Sequence, residues 1–306
     1  MNYHIPVLLS ETIEGLNIKP TGTYIDATFG GGGHSREILA KLTKGKLISF
    51  DQDAEAGKNS ITDKKFLFVQ SNFRFIRNFL RYYKINEVDG ILADLGVSSH
   101  HFETSTRGFS FRHDGPLDMR MNTKSSFTAR QVINEYPENK LLKIFRFYGE
   151  ITHTPKLVRE IIKHRARKKI ETINQFVEAI SACIPPRNEN QYLAKVFQAI
   201  RIEVNKEMKN LEELLIQSSR ILKKNGRIVI ISYHSLEDRM VKNFLRWGNF
   251  TKEAPKDIFG NVRVPFKPLT RKPIVPSEQE IQKNNRARSA KLRIGIRLPL
   301  ENERGK

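Results

Sequence analysis

An α/β fold, a parallel sheet flanked by helices and interrupted by an all-helical block, is what this sequence predicts, and three observations carry the prediction. Short apolar runs alternate with helical patterns through the first hundred or so residues. From about Thr106 to Val204 strand signal is absent and the pattern is helical throughout. Strand signal then returns at Arg227-Ile-Val-Ile-Ile-Ser-Tyr233. Alternating strands and helices make a parallel sheet covered on both faces, so the helical block reads as an insertion between the fourth and fifth strands.

The first four strands are expected at Thr23–Ala27, Lys46–Asp51, Phe66–Gln70 and Gly90–Asp94. Helices fit between them: Ile38, Leu39 and Leu42 share one face, and Phe73 to Tyr83 carries another helix. The inserted block reads as helices over Ala129–Tyr136, Lys140–Phe147, Thr154–Arg167, Ile173–Ala182 and Tyr192–Val204. An amphipathic helix on Val204, Met208, Leu211, Leu215, Ser218 and Leu222 then leads through Lys224-Asn225-Gly226 into the fifth strand. Lys252 to Pro276, basic and proline-containing, is expected to be an exposed loop, and Leu292–Arg297 to be a last edge strand. The predicted domains are residues 1–105 and 207–306, the two parts of the α/β domain, and the helical insertion 106–206.

The first strand runs into Asp26-Ala-Thr-Phe-Gly-Gly-Gly-Gly-His-Ser35, and the second into Phe50-Asp51-Gln52-Asp53. Strand, glycine turn, helix, second strand and acidic residue form a nucleotide-type pocket. Glycine lets backbone approach a ligand, and a carboxylate after the next strand grips a ribose diol. The dinucleotide fingerprint G-x-G-x-x-G is missing, because its third glycine would fall on Ser35 or Arg36. No G-x-x-x-x-G-K-[ST] window occurs either. A ribose-gripping acid without a pyrophosphate fingerprint suggests S-adenosylmethionine, which carries adenosine and no phosphate. The glycines alone would be a plain connecting turn; Asp26 and Asp51 at strand ends favour a ligand site.

Ligands of open α/β sheets sit beyond the carboxyl ends of the strands, so Asp26, Asp51, Asp94 and His234 are expected to converge on one crevice. Clustered carboxylates there are unfavourable unless they meet donors or cations; a sulfonium cofactor with a ribose diol and an ammonium group supplies both. Asp94-Leu-Gly-Val-Ser-Ser99 stands where amino-group methyltransferases carry Asp-Pro-Pro-Tyr. An exocyclic amine donates its lone pair into the base and is a weak nucleophile. An acceptor that holds its N–H groups out of the base plane localises that pair toward the methyl sulfonium. Asp94 has this role or holds the cofactor's ammonium group, and the residues do not separate the two. His234, closing the fifth strand, is divided evenly between facing the substrate and a structural place. Ser235 with Asp238 is a capping-box pattern opening the next helix.

The 53 Lys and Arg residues against 33 Asp and Glu give a net charge of +20, which points to a polyanionic partner and to nucleic acid first. The charge is clustered. In Arg107 to Met121, arginines interleave with Phe109 and Phe111; this suits phosphate contacts with base stacking, and equally a loop tied by Arg–Asp pairs over two buried phenylalanines. Lys163-His-Arg-Ala-Arg-Lys-Lys169, with Lys156 and Arg159, reads as an RNA track on a helix end. Asn284 to Arg293 is a substrate arm or the lead-in to the last strand. Cys183 is the single cysteine, so no intramolecular disulfide and no cysteine-based zinc site is expected; it reads as a small core residue. No metal site is expected among the scattered histidines. With neither a signal peptide nor an apolar run of membrane-spanning length, the expected location is cytoplasmic, without membrane contact.

Motifs in order along almost the whole chain resemble the bacterial ribosomal RNA small-subunit methyltransferase H family, also called MraW, which methylates N4 of a cytidine in 16S RNA. They include His4-Ile-Pro-Val-Leu-Leu9, the Asp26–Ser35 and Asp94–Ser99 runs, Arg107-Gly-Phe-Ser-Phe111, Asp114-Gly-Pro-Leu-Asp-Met-Arg-Met121, Tyr148-Gly-Glu150, Phe197-Gln-Ala-Ile-Arg-Ile202, His234-Ser-Leu-Glu-Asp-Arg239 and Arg286-Ala-Arg-Ser289. The resemblance implies a Rossmann-like class I methyltransferase sheet, interrupted by an inserted all-helical domain that recognises RNA. It implies that S-adenosylmethionine is held by Gly32, Gly33, His34, Asp51, Phe73 and Asp94. His101 stands where the family has a cofactor-contacting glutamine, and imidazole can donate or accept in its place. Ile151 replaces a second glutamate that often follows Tyr148-Gly-Glu150 in the family. The implied partner is 16S ribosomal RNA, within the small subunit or its precursor, and a homodimer is compatible with the chain. The expected function is S-adenosylmethionine-dependent N4-cytidine methylation of 16S RNA, with Asp94 and His234 as catalytic residues. Two alternatives are a DNA amino-methyltransferase, disfavoured by the missing Asp-Pro-Pro-Tyr, and an RNA-binding ribosome assembly factor with a vestigial cofactor pocket, disfavoured by the intact strand-end acids.

Overall fold

The computed structural model describes residues 6–97, 102, 104–251, 253, 255, 260 and 264–299. His101, with Ser98 and Ser99, lies outside them, as do His4 and Ile5. Among the described residues seven strands form one sheet: β1 (Thr23–Asp26), β2 (Lys46–Asp51), β3 (Phe66–Gln70), β4 (Val88–Asp94), β5 (Leu222–Ser232), β6 (Phe266–Pro268) and β7 (Lys291–Arg297). Their order is β3-β2-β1-β4-β5-β7-β6, with β1 to β5 parallel and β7 antiparallel to both neighbours. This is the Rossmann-like methyltransferase layout that the sequence predicts.

The sheet is buried on both faces, and β5 shows how. Ile228 and Ile230 enter one apolar core, while Val229 and Ile231 enter the other, as the two-residue period of a strand dictates. The second core takes Leu16 of α1 (Leu9–Leu16) and Ile38 and Leu39 of α2 (Gly33–Lys41). The first takes Ile76 and Leu80 of α3 (Ile76–Tyr82), and after the insertion Leu211 and Leu215 of α9 (Glu207–Ile221) and Val241, Phe244 and Leu245 of α10 (Ser235–Trp247). A short α11 (Glu278–Lys283) completes this part.

The chain divides into two compact units, Met1–Gly96 with Met208–Lys306, and Val97–Glu207. The second unit holds α4 (Ala129–Glu135), α5 (Glu138–Phe147), α6 (Thr154–Arg167), α7 (Ile173–Ala179) and α8 (Glu189–Asn205). It has its own core, in which Val132, Phe145, Leu157, Ile161, Phe176 and Val196 are fully buried. Leu157, Val158 and Ile161 recur at helical spacing along α6, and Pro155 fits its first turn, where no N–H partner is needed. Thr172 and Gln175 cap α7 reciprocally. Ile151 belongs to this core and Cys183 packs against it; the family's second glutamate is here an apolar core residue. Among the described residues no helix is long and apolar enough to cross a membrane.

Three differences from the sequence reading, and one helix that it did not place, have physical causes. Strand β5 starts at Leu222, before Lys224-Asn225-Gly226, which forms a bulge: the pairing jumps from Val88 with Leu222 to Gly90 with Arg227, and Asn225 has φ 64°. Strand β7 is not the sheet edge, because β6 pairs outside it. Phe266, fully buried near Phe244, anchors three residues that are too few to show a period. Helix α1 lacks a local cap; the N–H of Leu8, itself left-handed, donates to Glu280 Oε1 at 2.7 Å. At α10 the N-cap residue is His234, not Ser235.

Candidate active site

The glycine turn leaves β1 and is fastened on both sides. Asp51, at the end of β2, accepts the Gly30 N–H through Oδ2 and the Asp53 N–H through Oδ1, each at 2.8 Å. Asn59 donates to the Gly30 carbonyl at 3.1 Å and Arg36 to that of Gly31 at 2.7 Å. Gly32 has φ 75°, which side chains rarely adopt, and a Cβ on Gly33 would fall 2.2 Å from Pro6 Cγ. The turn and Asp51 are therefore one preorganised unit, and α2 begins directly behind it.

Asp26 does not join the crevice. It is 1 % exposed, and accepts from Ser35 Oγ at 2.7 Å and from the Thr28 N–H at 3.1 Å, tying α2 to β1 beneath the turn. A short polar side chain at a strand end served this internal need as well as a ligand would have. Thr28 in turn accepts the Asp94 N–H at 2.7 Å, linking the turn to the end of β4.

Asp94 is the centre of the arrangement. Its Oδ1 accepts from the Tyr233 hydroxyl at 2.8 Å, and its Oδ2 faces Nδ1 of His34 at 3.8 Å. The Nε2–H of His34 donates to the Val7 carbonyl at 3.1 Å, so Nδ1 of the neutral ring carries a lone pair. Burial holds His34 below its ordinary pKa, which favours that neutral ring. Two acceptors, His34 buried and Asp94 half-buried, thus face each other with room for an N–H donor beside them. Burial also raises Asp94 to about 7, against the Tyr233 hydrogen bond that lowers it and with the Glu237 charge that raises it further. At Asp51, burial outweighs the two N–H donors and the pKa is about 6.

His234 caps α10: its Nδ1 accepts the Glu237 N–H at 3.4 Å. Its Nε2 lies 3.2 Å from Glu237 Oε1, off the line of a hydrogen bond, and is buried without a partner. Glu237 Oε2 accepts the Tyr233 N–H at 2.9 Å, so Tyr233 is fixed through backbone and hydroxyl alike. Phe73 begins a 3₁₀ turn after β3, half-buried against the sheet core; there Asn72 donates to Gln52 Oε1 at 2.8 Å, joining the ends of β3 and β2. Sequence reasoning assigned Tyr233 no role; only its place at the end of the strand beside β4 could have pointed to it.

In the helical unit the loop Arg107 to Met121 takes its structural reading. Phe109 is 4 % exposed within the core and offers no stacking surface, and Phe111, half-buried, packs edge-on to Phe197 at 5.4 Å. Arg107 donates to the carbonyls of Arg120 and Met121, and Arg120 grips Asp118 through two bonds of 2.8 and 2.6 Å. Arg165 is half-buried and turned inward, donating to the Ile133 carbonyl at 2.8 Å, whereas Lys163, Arg167, Lys168 and Lys169 are exposed cations at the end of α6 and just beyond it.

A carboxylate that accepts a ribose diol must be charged to do so well. Asp51→Ala is therefore expected to lower adenosine-cofactor affinity by about tenfold or more, since hydrogen bonds to charged groups contribute roughly 1.5–3 kcal/mol. In the unaltered protein the affinity should weaken as pH falls through about 6, where Asp51 takes up its proton. Calorimetric titration checks both; an unchanged affinity in a folded variant removes Asp51 from the site.

Comparison with known proteins gives a consistent picture. The profile of the MraW methylase family matches residues 1–297. Ribosomal RNA small subunit methyltransferase H of Bacteroides fragilis (strain YCH46) is 56% identical over 293 residues, covering 95% of this chain and 96% of that protein. The protein of the same name from Parabacteroides distasonis is 55% identical over 298 residues, covering 97% and 98%. That of Flavobacterium johnsoniae is 52% identical over 299 residues, covering 97% and 99%.

Proposed function

The chain belongs to the MraW methylase family, and on that footing we propose that it is an S-adenosylmethionine-dependent methyltransferase acting on N4 of a cytidine in 16S ribosomal RNA. The observation that carries the reading is Asp94: a half-buried carboxylate at the end of β4, held at one oxygen by Tyr233 and open at the other. The residues present fit the cofactor. Asp51 with the glycine turn suits adenosine and its ribose, and the facing acceptors Asp94 Oδ2 and His34 Nδ1, 3.8 Å apart, suit an ammonium or amine donor. When bound, S-adenosylmethionine supplies a methyl group on a sulfonium.

The chain's own residues do the rest. Asp94 accepts an N–H of the cytidine amine, turning its lone pair out of the base plane, and receives the proton the amine sheds; a pKa near 7 suits both roles. Tyr233 fixes the direction of the carboxylate. His234, at the end of β5 with Nδ1 engaged by backbone and Nε2 beside Glu237, is the second residue assigned to the reaction. A cytidine in structured RNA must be splayed out to reach such a site. The helical unit recognises the surrounding RNA, through Arg167, Lys168 and Lys169 among other groups. The proposed substrate is the small ribosomal subunit or its precursor in the cytoplasm.

The test incubates the protein and S-adenosylmethionine with free 16S RNA, precursor particles and small subunits from a strain lacking the enzyme, followed by mass mapping. One N4-methylated cytidine with matching S-adenosylhomocysteine is expected. RNA left unmodified by a protein that binds both ligands would sink the enzymatic reading in favour of an assembly factor.

A further inference from the structure

Helix α10 carries a second feature of chemical interest, away from the strand ends. Lys242, Leu245 and Arg246 share one face of the helix and, with Pro268 at the end of β6, Leu269 to Arg271 after it, and Arg293 and Ile294 of β7, enclose a cleft of about 370 Å³. Its floor is apolar: Leu245 and Ile294 are buried, and Leu269 beside them is 45% exposed. Its rim is basic. Four of the lining residues are Lys or Arg and none is acidic. Arg293 is satisfied by Asp238, through bonds of 2.6 and 3.2 Å, so the open charge belongs to Lys242, Arg246 and Arg271, all exposed. Lys242 and Arg271 form no ion pair among the described residues. The Arg246 guanidinium lies over the Trp247 ring at 4.5 Å, a contact that steadies the side chain while leaving its N–H edge for an anion.

Apolar floor and cationic rim together match a nucleotide unit within a strand, with its base or ribose against Leu269 and Ile294 and its phosphates on the rim. The place along the helix fits a continuous strand. Ser235, the first residue of α10, follows the Tyr233–His234 end of β5; Lys242 and Arg246 lie roughly 10 and 16 Å further along the axis at a rise of about 1.5 Å per residue. We propose that this cleft is a phosphodiester subsite that holds the substrate RNA a few nucleotides away from the reacting cytidine. The inference rests on the function proposed above, and commits to RNA because the rim charge complements phosphate and matches the chain's net +20.

Lys242→Ala, Arg246→Ala and Arg271→Ala, combined in the full chain, test it. The three side chains are exposed, so the thermal midpoint should hold, and calorimetric affinity for S-adenosylmethionine should stay as it was. Affinity for a 16S RNA fragment spanning the target, measured by anisotropy, is expected to fall at least about tenfold at physiological salt. The slope of log K against log salt should flatten by about 2, since each single-strand phosphate contact contributes about 0.7. A fragment trimmed to the immediate neighbours of the cytidine should bind both proteins alike. Arg246→Lys, which keeps the charge, should retain the wild-type slope. An unchanged affinity and slope with the long fragment would overturn the proposal. So would a loss of affinity with the slope intact, which would mark the cleft as a seat for something other than phosphate, such as a protein. Should the unaltered protein fail to bind or methylate the RNA, it is the functional reading that falls.

Discussion

Asp94→Asn is expected to lower single-turnover methylation at saturating S-adenosylmethionine by about a hundredfold or more, the loss typical for a preorganised group aimed at developing charge. The structure says why so small a change is so severe. The amide carbonyl can still accept from Tyr233, so the side chain stays in place and the fold is undisturbed. Its NH₂ then takes the position of Oδ2 and faces Nδ1 of His34, an acceptor in the neutral ring. The substrate amine would meet a donor where it needs an acceptor, and the negative charge that steadies the nitrogen as it becomes positive is gone. A second role for Asp94 makes a different forecast. If the carboxylate only grips the cofactor's ammonium, the defect appears as weaker cofactor binding and disappears at saturation. A normal single-turnover rate under saturating cofactor would leave Asp94 as a binding residue alone.

Tyr233→Phe should move the acid limb of the pH–rate profile upward. In the unaltered protein the single-turnover rate should fall as pH falls through about 7, because protonation of Asp94 removes the acceptor. Burial and two groups set that value, and a third lies close by. Burial raises it first, the hydroxyl of Tyr233 lowers it, the charge of Glu237 on α10 raises it, and His34 on α2 contributes no charge while neutral. Removing the hydroxyl takes away the stabilisation of the charged form. A hydrogen bond to a charged group is worth about 1.5–3 kcal/mol, so the limb should rise by about one pH unit or more. The phenylalanine ring keeps the packing over Gly96, and the cofactor affinity measured at high pH should be nearly unchanged. Activity at pH near 7 should therefore drop by roughly tenfold and recover in alkaline buffer. A loss of equal size at every pH would show that Tyr233 acts through the fold rather than through the carboxylate.

What the sequence made legible follows from how local each signal is. Strands β2 and β3 are short, largely apolar runs with clear limits, and their ends fall where the sequence puts them. Asp51 and Asp94 could be placed at the crevice because a strand end is a local property. The hold of Tyr233 on Asp94 could not, since it joins residues 139 apart in the chain and exists only once β4 and β5 lie side by side. Asp26 shows the opposite limit: an acid at a strand end has the same sequence signature whether it meets a ligand or, as here, a buried serine. Phe109, Phe111 and Arg165 teach the same lesson for the RNA reading. Aromatic and basic residues in one segment describe a stacking surface only if the fold leaves them outside. The cap of α1 was hidden for a further reason, because Glu280 reaches it from the far end of the chain.

The insertion between β4 and β5 also governs how the chain must assemble. Ile91 pairs with Ile228, and the whole helical unit is threaded between them. Bringing the ends of so long a flexible segment together opposes pairing by about 4 kcal/mol beyond a fixed term, for a loop on the order of 130 residues. The helical unit has its own core, so it can form before the strands pair, and once folded it replaces a floppy tether by a short one. Refolding should therefore proceed in two stages. Pulse-labelled hydrogen exchange is expected to protect amides of α5, α6 and α8 first, and those of β4 and β5 together and later; simultaneous protection would mean that the sheet does not wait for its insertion.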